Sequence, residues 1–299
     1  MEKISKKELV IQLILWGLLL AQTVMARTPL SAEEMDMVAV PVVLVEADAA
    51  MVADSGGGPR CTDWALSRRV LGQTFAAPAQ WDGRDWARAG GIALLAVGSY
   101  ALDKKVQQYF AENRNNFGKT VERIGYVYGQ PMYLAPAAAL IYGSGLLFKN
   151  EGVKTTGLMI LQLGVVASLT QIPARIIAGR VRPYTDKQRD DFKLFKGTQQ
   201  TRASFISGHA LLAVGVSTIL AKQINRPWAT VLLYAAAATT PYARLYRGSH
   251  WLSDVVTGSV LGYVMAKGIM KRYAKDPCAP EGLMISPGLN GISMTIPIK

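Results

Sequence analysis

Histidine is scarce in this chain: His209 and His250 are the only two. Cysteine is as scarce, with Cys61 and Cys278 alone. Two cysteines so far apart define no disulfide framework; an exported chain would allow them to pair, and two unpaired thiols fit the sequence at least as well. No group of carboxylates, histidines or cysteines has the spacing of a metal site, so neither a metal nor a cofactor is expected. Acidic residues are outnumbered, 21 Asp and Glu against 33 Lys and Arg, for a net charge of +12. That excess does not make a nucleic-acid partner, because the basic residues stand at segment ends rather than in one patch interleaved with aromatics. It suits anionic lipid head groups better. No internal repeat is visible, which excludes a solenoid, and nothing in the sequence speaks to oligomeric state.

Charged residues make up only 18% of the chain and hydrophobic ones 50%. Four uncharged stretches stand out, Ile124–Phe148, Thr155–Ala174, Ala203–Ala221 and Pro227–Ala243, and a fifth, Trp251–Ala266, is interrupted by Asp254 alone. At a rise of about 1.5 Å per residue these approach or cover a hydrocarbon core of about 30 Å. Ala89–Leu102 is shorter and reads as a helix on or near the membrane, followed by a polar segment from Asp103, Lys104 and Lys105. The expected fold class is therefore all-α, a helical bundle that is integral to a membrane with five or six spans. The alternative is a soluble exported bundle, since the mean hydropathy is only +0.18.

At the N-terminus, Lys3, Lys6 and Lys7 precede the apolar run Leu9–Ala26, and Val24 and Ala26 fit a signal-peptidase site. Residues 1–26 read as a signal peptide or an anchor, 27–88 as a polar exported segment with a break at Ser55-Gly56-Gly57-Gly58-Pro59, 89–275 as the helical catalytic domain, and 276–299 as a tail with strand-like alternation. Crossing alternately from an exported residue 27 puts Lys149, Lys154, Lys222, Arg226, Lys267 and Lys271 inside, as the positive-inside tendency asks. Both histidines then lie at the outer face.

Each histidine sits in a cluster suited to phosphate. Arg175-x6-Arg182-Pro183 is followed by Ser207-Gly208-His209, and then by Arg244-x5-His250-x3-Asp254. On a helix opening at Trp251, His250 and Asp254 share one face, so the carboxylate can accept a proton from the imidazole and leave its other nitrogen free to attack. A purely structural His–Asp pair satisfies the same spacing. Ser207-Gly208-His209 opens an apolar helix, whose N-terminus offers free N–H groups to an anion, and Ser207 either caps that helix or donates to a phosphate oxygen. Guanidinium forks suit phosphate geometry, whereas any one of these arginines alone reads as a side chain snorkelling to the membrane surface.

Together the three clusters resemble the type 2 phosphatidic acid phosphatase superfamily, which also includes vanadium haloperoxidases and bacterial acid phosphatases. Its pattern is K-x6-R-P, P-S-G-H and S-R-x5-H-x3-D. Here Arg175, Ile206 and Ala243 replace the Lys, Pro and Ser of that pattern, changes that bear on substrate preference and rate rather than on the nucleophile. The resemblance implies a metal-independent phosphatase of the bacterial inner membrane, its site facing the periplasm, acting on a lipid phosphate or diphosphate. By it, His250 is the nucleophile that becomes a phosphohistidine, Asp254 orients it, and His209 is the acid and then the base. Arg175, Arg182, Arg244, Ser207 and the Gly208 N–H bind the phosphoryl group. The alternatives are a periplasmic acid phosphatase for soluble esters, a vanadium-dependent haloperoxidase, and a non-catalytic phospholipid-binding membrane protein.

Overall fold

The structure is a computed structural model that describes residues 62–185, 187–278, 285–288 and 291–294. The expected signal peptide or anchor, most of the polar exported segment and Cys61 lie outside the described residues. What is described is an all-α bundle with a small hairpin in the tail. In chain order the helices are α1 (Asp63–Ala76), α2 (Gly83–Glu112), α3 (Asn116–Tyr128), α4 (Pro131–Leu147), α5 (Glu151–Ala178), α6 (Gly208–Ile224), α7 (Pro227–Tyr246) and α8 (Leu252–Lys275). The tail strands, Ile285–Gly288 and Gly291–Met294, pair antiparallel, in keeping with the alternation in the sequence.

Helices α6 and α8 pack along each other at the centre, with α5 beside both, α4 outside α5, α7 against α6, α3 against α7, and α2 along α8. The core is apolar and continuous across these faces, from Met159, Leu163 and Val166 on α5 through Leu211 and Ile219 on α6 to Ile269 and Met270 on α8. Small residues let the central helices close up. A side chain at Gly258 of α8 would meet the Ser207 carbonyl oxygen at 2.4 Å, so the start of α6 and the first turns of α8 touch backbone to backbone.

Several boundaries differ from the sequence reading for local reasons. The uncharged stretch 124–148 is not one helix: α3 stops at Gly129, and Pro131 opens α4 after Gln130, because proline is suited to a first helical turn and has no N–H to continue an earlier one. The apolar run 89–102 is the middle of a 30-residue helix, not a short one, and Asp103 is the residue of that helix that is buried. Helix α1 lies within the stretch expected to be polar and exported, yet Leu66 and Val70 join the core.

Two further points concern the membrane and the cysteines. Among the described residues, one helix, α5, is long and apolar enough to cross a bilayer, while α4 and α6 are apolar but shorter. Cys278 is disulfide-bonded, and the sequence has one other cysteine, Cys61. Of the two readings that the sequence left open for its cysteines, this is the paired one. A bond there is at odds with the alternating path that put residues after α8 in the cytoplasm, since disulfides persist in oxidising compartments. Beside Cys278, Arg69 of α1 grips Asp276 through two charge-assisted bonds of 2.9 and 2.8 Å, holding the Asp276 carboxyl below its usual range.

Candidate active site

Six chain segments converge at one end of the bundle: the C-terminal ends of α5 and α7, the N-terminal ends of α4, α6 and α8, and the middle of α2. Three helix N-termini meeting there bias the end toward anions. Helix α5 ends on Gly179, whose φ of +51° is left-handed, a conformation that suits glycine. The chain thereby turns sharply from Arg175 in the last helical turn into the segment Arg180–Pro183. The Arg182 N–H donates to the Thr201 carbonyl, the Ser204 N–H to the Arg180 carbonyl, and the Trp251 indole to the Val181 carbonyl. These bonds pin the arginine segment between the loop before α6 and the start of α8.

His250 precedes α8, and its Nδ1 donates to the Ser204 carbonyl oxygen at 2.7 Å. That bond puts the proton on Nδ1 and leaves the lone pair on Nε2. Spacing alone made Asp254 the direct partner of His250, but the carboxylate is engaged elsewhere. It accepts from Arg180 Nη1 at 2.5 Å, from the Ser204 hydroxyl at 2.5 Å and from the Trp251 N–H at 3.0 Å. The link from Asp254 to the imidazole therefore passes through Ser204, which gives its hydroxyl to one and its carbonyl to the other. The i, i+4 geometry put both residues near one another; the loop from 203 to 207 came between them.

Burial, first, and the charges of Arg182, Arg244 and Arg175 hold the His250 imidazole well below its usual pKa, against the opposing bond to Ser204. Those same arginines are the three that the sequence assigned to phosphate. Arg182 and Arg244 are buried, and Arg244 stands over the Tyr126 ring at 4.8 Å. Tyr126 in turn stacks on His209, and His209 Nε2 is hydrogen-bonded to the Gln130 side-chain oxygen. The structure brings both histidines, all three arginines, Ser207 and Asp254 to this end.

Ser207 does not take the capping role that the sequence allowed it. It stands at the N-cap position of α6 but makes no side-chain cap bond. Its hydroxyl is buried and has no hydrogen-bond partner among the described residues. An orphaned buried hydroxyl at a helix N-terminus is costly, and an anion oxygen there would satisfy it. The adjoining Ile206 carbonyl accepts from Gln171 of α5 at 3.3 Å, so this segment is tied down without the proline of the family pattern.

Sequence reasoning missed four residues here: Asp103, Gln130, Arg180 and Ser204. Asp103 and Gln130 carry no local signal, because they meet the site only through packing. Arg180 and Ser204 sit two and three residues from motif positions, and their polar side chains in buried loops were the available clue.

The stretch that carries the three motifs is similar to known proteins. Residues 155–277 match the PAP2 superfamily. A lipid A 4'-phosphatase from Bacteroides thetaiotaomicron is 25% identical over 52% of this chain and 72% of its own length. An undecaprenyl-diphosphatase from Sulfolobus acidocaldarius is 30% identical over 45% of this chain and 61% of its own. Among solved structures, the transmembrane PAP2-type phosphatidylglycerolphosphate phosphatase of Bacillus subtilis is similar with a TM-score of 0.48 and 20% identity, covering 60% of this chain and 90% of that one. Every residue of the three motifs lies within the stretch that matches the PAP2 superfamily.

Proposed function

We propose that this phosphate ester or diphosphate hydrolase acts on a lipid head group without a metal, through a phosphohistidine on His250. The observation that carries the reading is the convergence at His250. A buried imidazole with its Nδ1 proton fixed by Ser204 faces the charge of three arginines. In the first step Nε2 of His250 bonds to phosphorus, the ester or anhydride P–O bond breaks, and His209 gives a proton to the departing oxygen. In the second, water attacks phosphorus while His209 takes its proton, the N–P bond breaks, and inorganic phosphate leaves with His250 neutral again. The arginines, the Ser207 hydroxyl and the N–H groups at the start of α6 hold the equatorial oxygens, whose charge grows in the transition state.

A lipid substrate fits the bundle's outer faces. Leu94 and Val97 on α2, Leu140 and Leu147 on α4, Leu169 on α5, and Val231 and Leu232 on α7 are all exposed. So much bare apolar surface belongs against hydrocarbon, and the relatives named above act on lipid A and undecaprenyl diphosphate. The purified protein with EDTA present is expected to release phosphate from at least one of phosphatidic acid, phosphatidylglycerol phosphate, undecaprenyl diphosphate and lipid A. Release from p-nitrophenyl phosphate alone would favour a soluble-ester enzyme, and activity lost to EDTA and restored by a divalent cation would sink the mechanism.

We further propose that both ends of the bundle face the exported compartment of a bacterial membrane. The disulfide at Cys278 supports this for the far end of α8, and the signal-like N-terminus of the chain supports export generally. The basic residues Lys222, Arg226, Lys267 and Lys271 then meet anionic head groups rather than cytoplasm. In intact spheroplasts, a membrane-impermeant maleimide is expected to label Cys278 after reduction and, equally, a Lys187→Cys variant at the catalytic end. Labelling of one position alone would mean that α8 crosses the bilayer.

A further inference from the structure

We infer that Asp103 of α2, outside the matched domain, is a positioning residue for the nucleophile, acting through Arg180, Asp254 and Ser204. This rests on the phosphohistidine reading given above. Asp103 is wholly buried. One of its oxygens accepts from Arg180 Nη2 at 2.6 Å and from the Ser253 hydroxyl at 2.8 Å, and the other from the Ser253 N–H at 2.8 Å. Arg180 closes the circuit, since Nη1 donates both to Asp254 at 2.5 Å and to the Ser253 hydroxyl at 2.7 Å. The guanidinium lies within reach of the Tyr100, Phe192 and Trp251 rings, so it is held on all sides and has little freedom to turn.

Three features make this more than a pin between helices. First, the path is unbroken: Asp103 to Arg180, Arg180 to Asp254, Asp254 to the Ser204 hydroxyl, and the Ser204 carbonyl to His250 Nδ1. Second, Asp103 fixes the Ser253 backbone N–H, three residues from His250 and adjacent to Asp254, and so sets the first turn of α8. Third, the charges do not cancel. Two carboxylates share one guanidinium, leaving surplus negative charge behind an imidazole whose front faces Arg175, Arg182 and Arg244. Arg189 donates to the Tyr100 and Ala101 carbonyls rather than to either carboxylate. Surplus negative charge there favours the positive ring that forms when Nε2 bonds to phosphorus. A neutral Asp103 site would leave Arg180 and Asp254 as a balanced pair and take that help away.

In Asp103-Lys104-Lys105 the lysines are exposed and the aspartate is inside, although in the sequence all three open one polar segment.

Asp103→Asn keeps the shape and removes the charge. Groups that support a reacting or ligating histidine from behind are worth about 10–100-fold. The expected result for phosphate release from phosphatidic acid is a fall of about that size in kcat, KM changed by less than about threefold, and the acid limb of kcat/KM displaced to lower pH. Unchanged kcat and acid limb, or a change confined to KM, would overturn the inference. Should Asp103→Asn fail to fold, Ser253→Ala removes one of the same contacts; it is expected to lower kcat less, in the same direction, and wild-type kinetics in that variant would overturn it too. If the wild-type protein hydrolyses no lipid phosphate, nitrogen-15 spectra of the imidazoles still read the positioning. With only two histidines, the signals missing from His250→Ala identify His250. The wild type is expected in the Nδ1-protonated form and Asp103→Asn in a tautomer mixture; identical spectra would defeat the inference independently of substrate.

Discussion

His250→Ala is expected to lower phosphate release by at least about a thousandfold and to leave the thermal midpoint near that of the wild type. The reason for the first is chemical: His209 is the only other imidazole, and its Nε2 is engaged by the Gln130 side-chain oxygen. The reason for the second is that the imidazole makes one hydrogen bond to the protein, to the Ser204 carbonyl. Losing a single bond of that kind costs about 1–2 kcal/mol, and removing a buried ring from beside three guanidinium groups costs nothing in charge. Activity without fold damage is therefore the signature, measured as phosphate release and melting in the same detergent. Retained turnover would remove His250 from the chemistry.

The same residue sets a pH dependence whose sign follows from its surroundings. Its depressed pKa means that the folded protein keeps the ring neutral, and the nucleophile available, as pH falls below the usual histidine range of about 6.5. The wild-type kcat/KM is thus expected to hold through that pH before its acid limb begins. For stability the consequence is opposite. Below the unfolded pKa the unfolded chain binds a proton that folded His250 refuses, so this group favours unfolding increasingly until its own folded pKa is reached.

How much of this could be read from the sequence depended on the distance over which each residue acts. His209 and His250 are legible because histidine is rare in this chain, and Arg175, Arg182 and Arg244 because they stand at fixed spacings around the two histidines. Asp103 and Gln130 were not, since their partners Arg180 and His209 stand 77 and 79 positions away and only packing joins them. Asp254 was half legible. Its helical spacing put it beside His250, but the competing donors Arg180 and Ser204 come from the loop side, and a spacing rule does not see them. The helical class was visible in the uncharged runs. Their ends were less so, because a hydropathy run passes over Gly129 and Pro131, whereas the backbone does not.

Asp254→Ala is expected to damage both activity and stability, which separates it from the loss at His250. The carboxylate is wholly buried and takes three donors, from Arg180, Ser204 and the Trp251 N–H at the start of α8. Truncation leaves the Ser204 hydroxyl and the Trp251 N–H unmet and strips Arg180 of one of its two carboxylates. Breaking a buried ion pair from one side costs about 3–5 kcal/mol, which for a domain of this size is a fall in thermal midpoint of roughly 6–20 °C. Asp254→Asn retains an oxygen for one donor and is expected to melt closer to wild type, while its kcat still falls because Ser204, and with it the Nδ1 proton of His250, is held less firmly. If Asp254 acts only as a structural pin, the two variants will track each other: activity per folded molecule will be near wild type in Asp254→Asn, and only the melting temperature will move. If it acts through Ser204 on the nucleophile, Asp254→Asn will be folded and slow. Combining it with Asp103→Asn should then add little further loss in kcat, because both substitutions interrupt the same path to one imidazole.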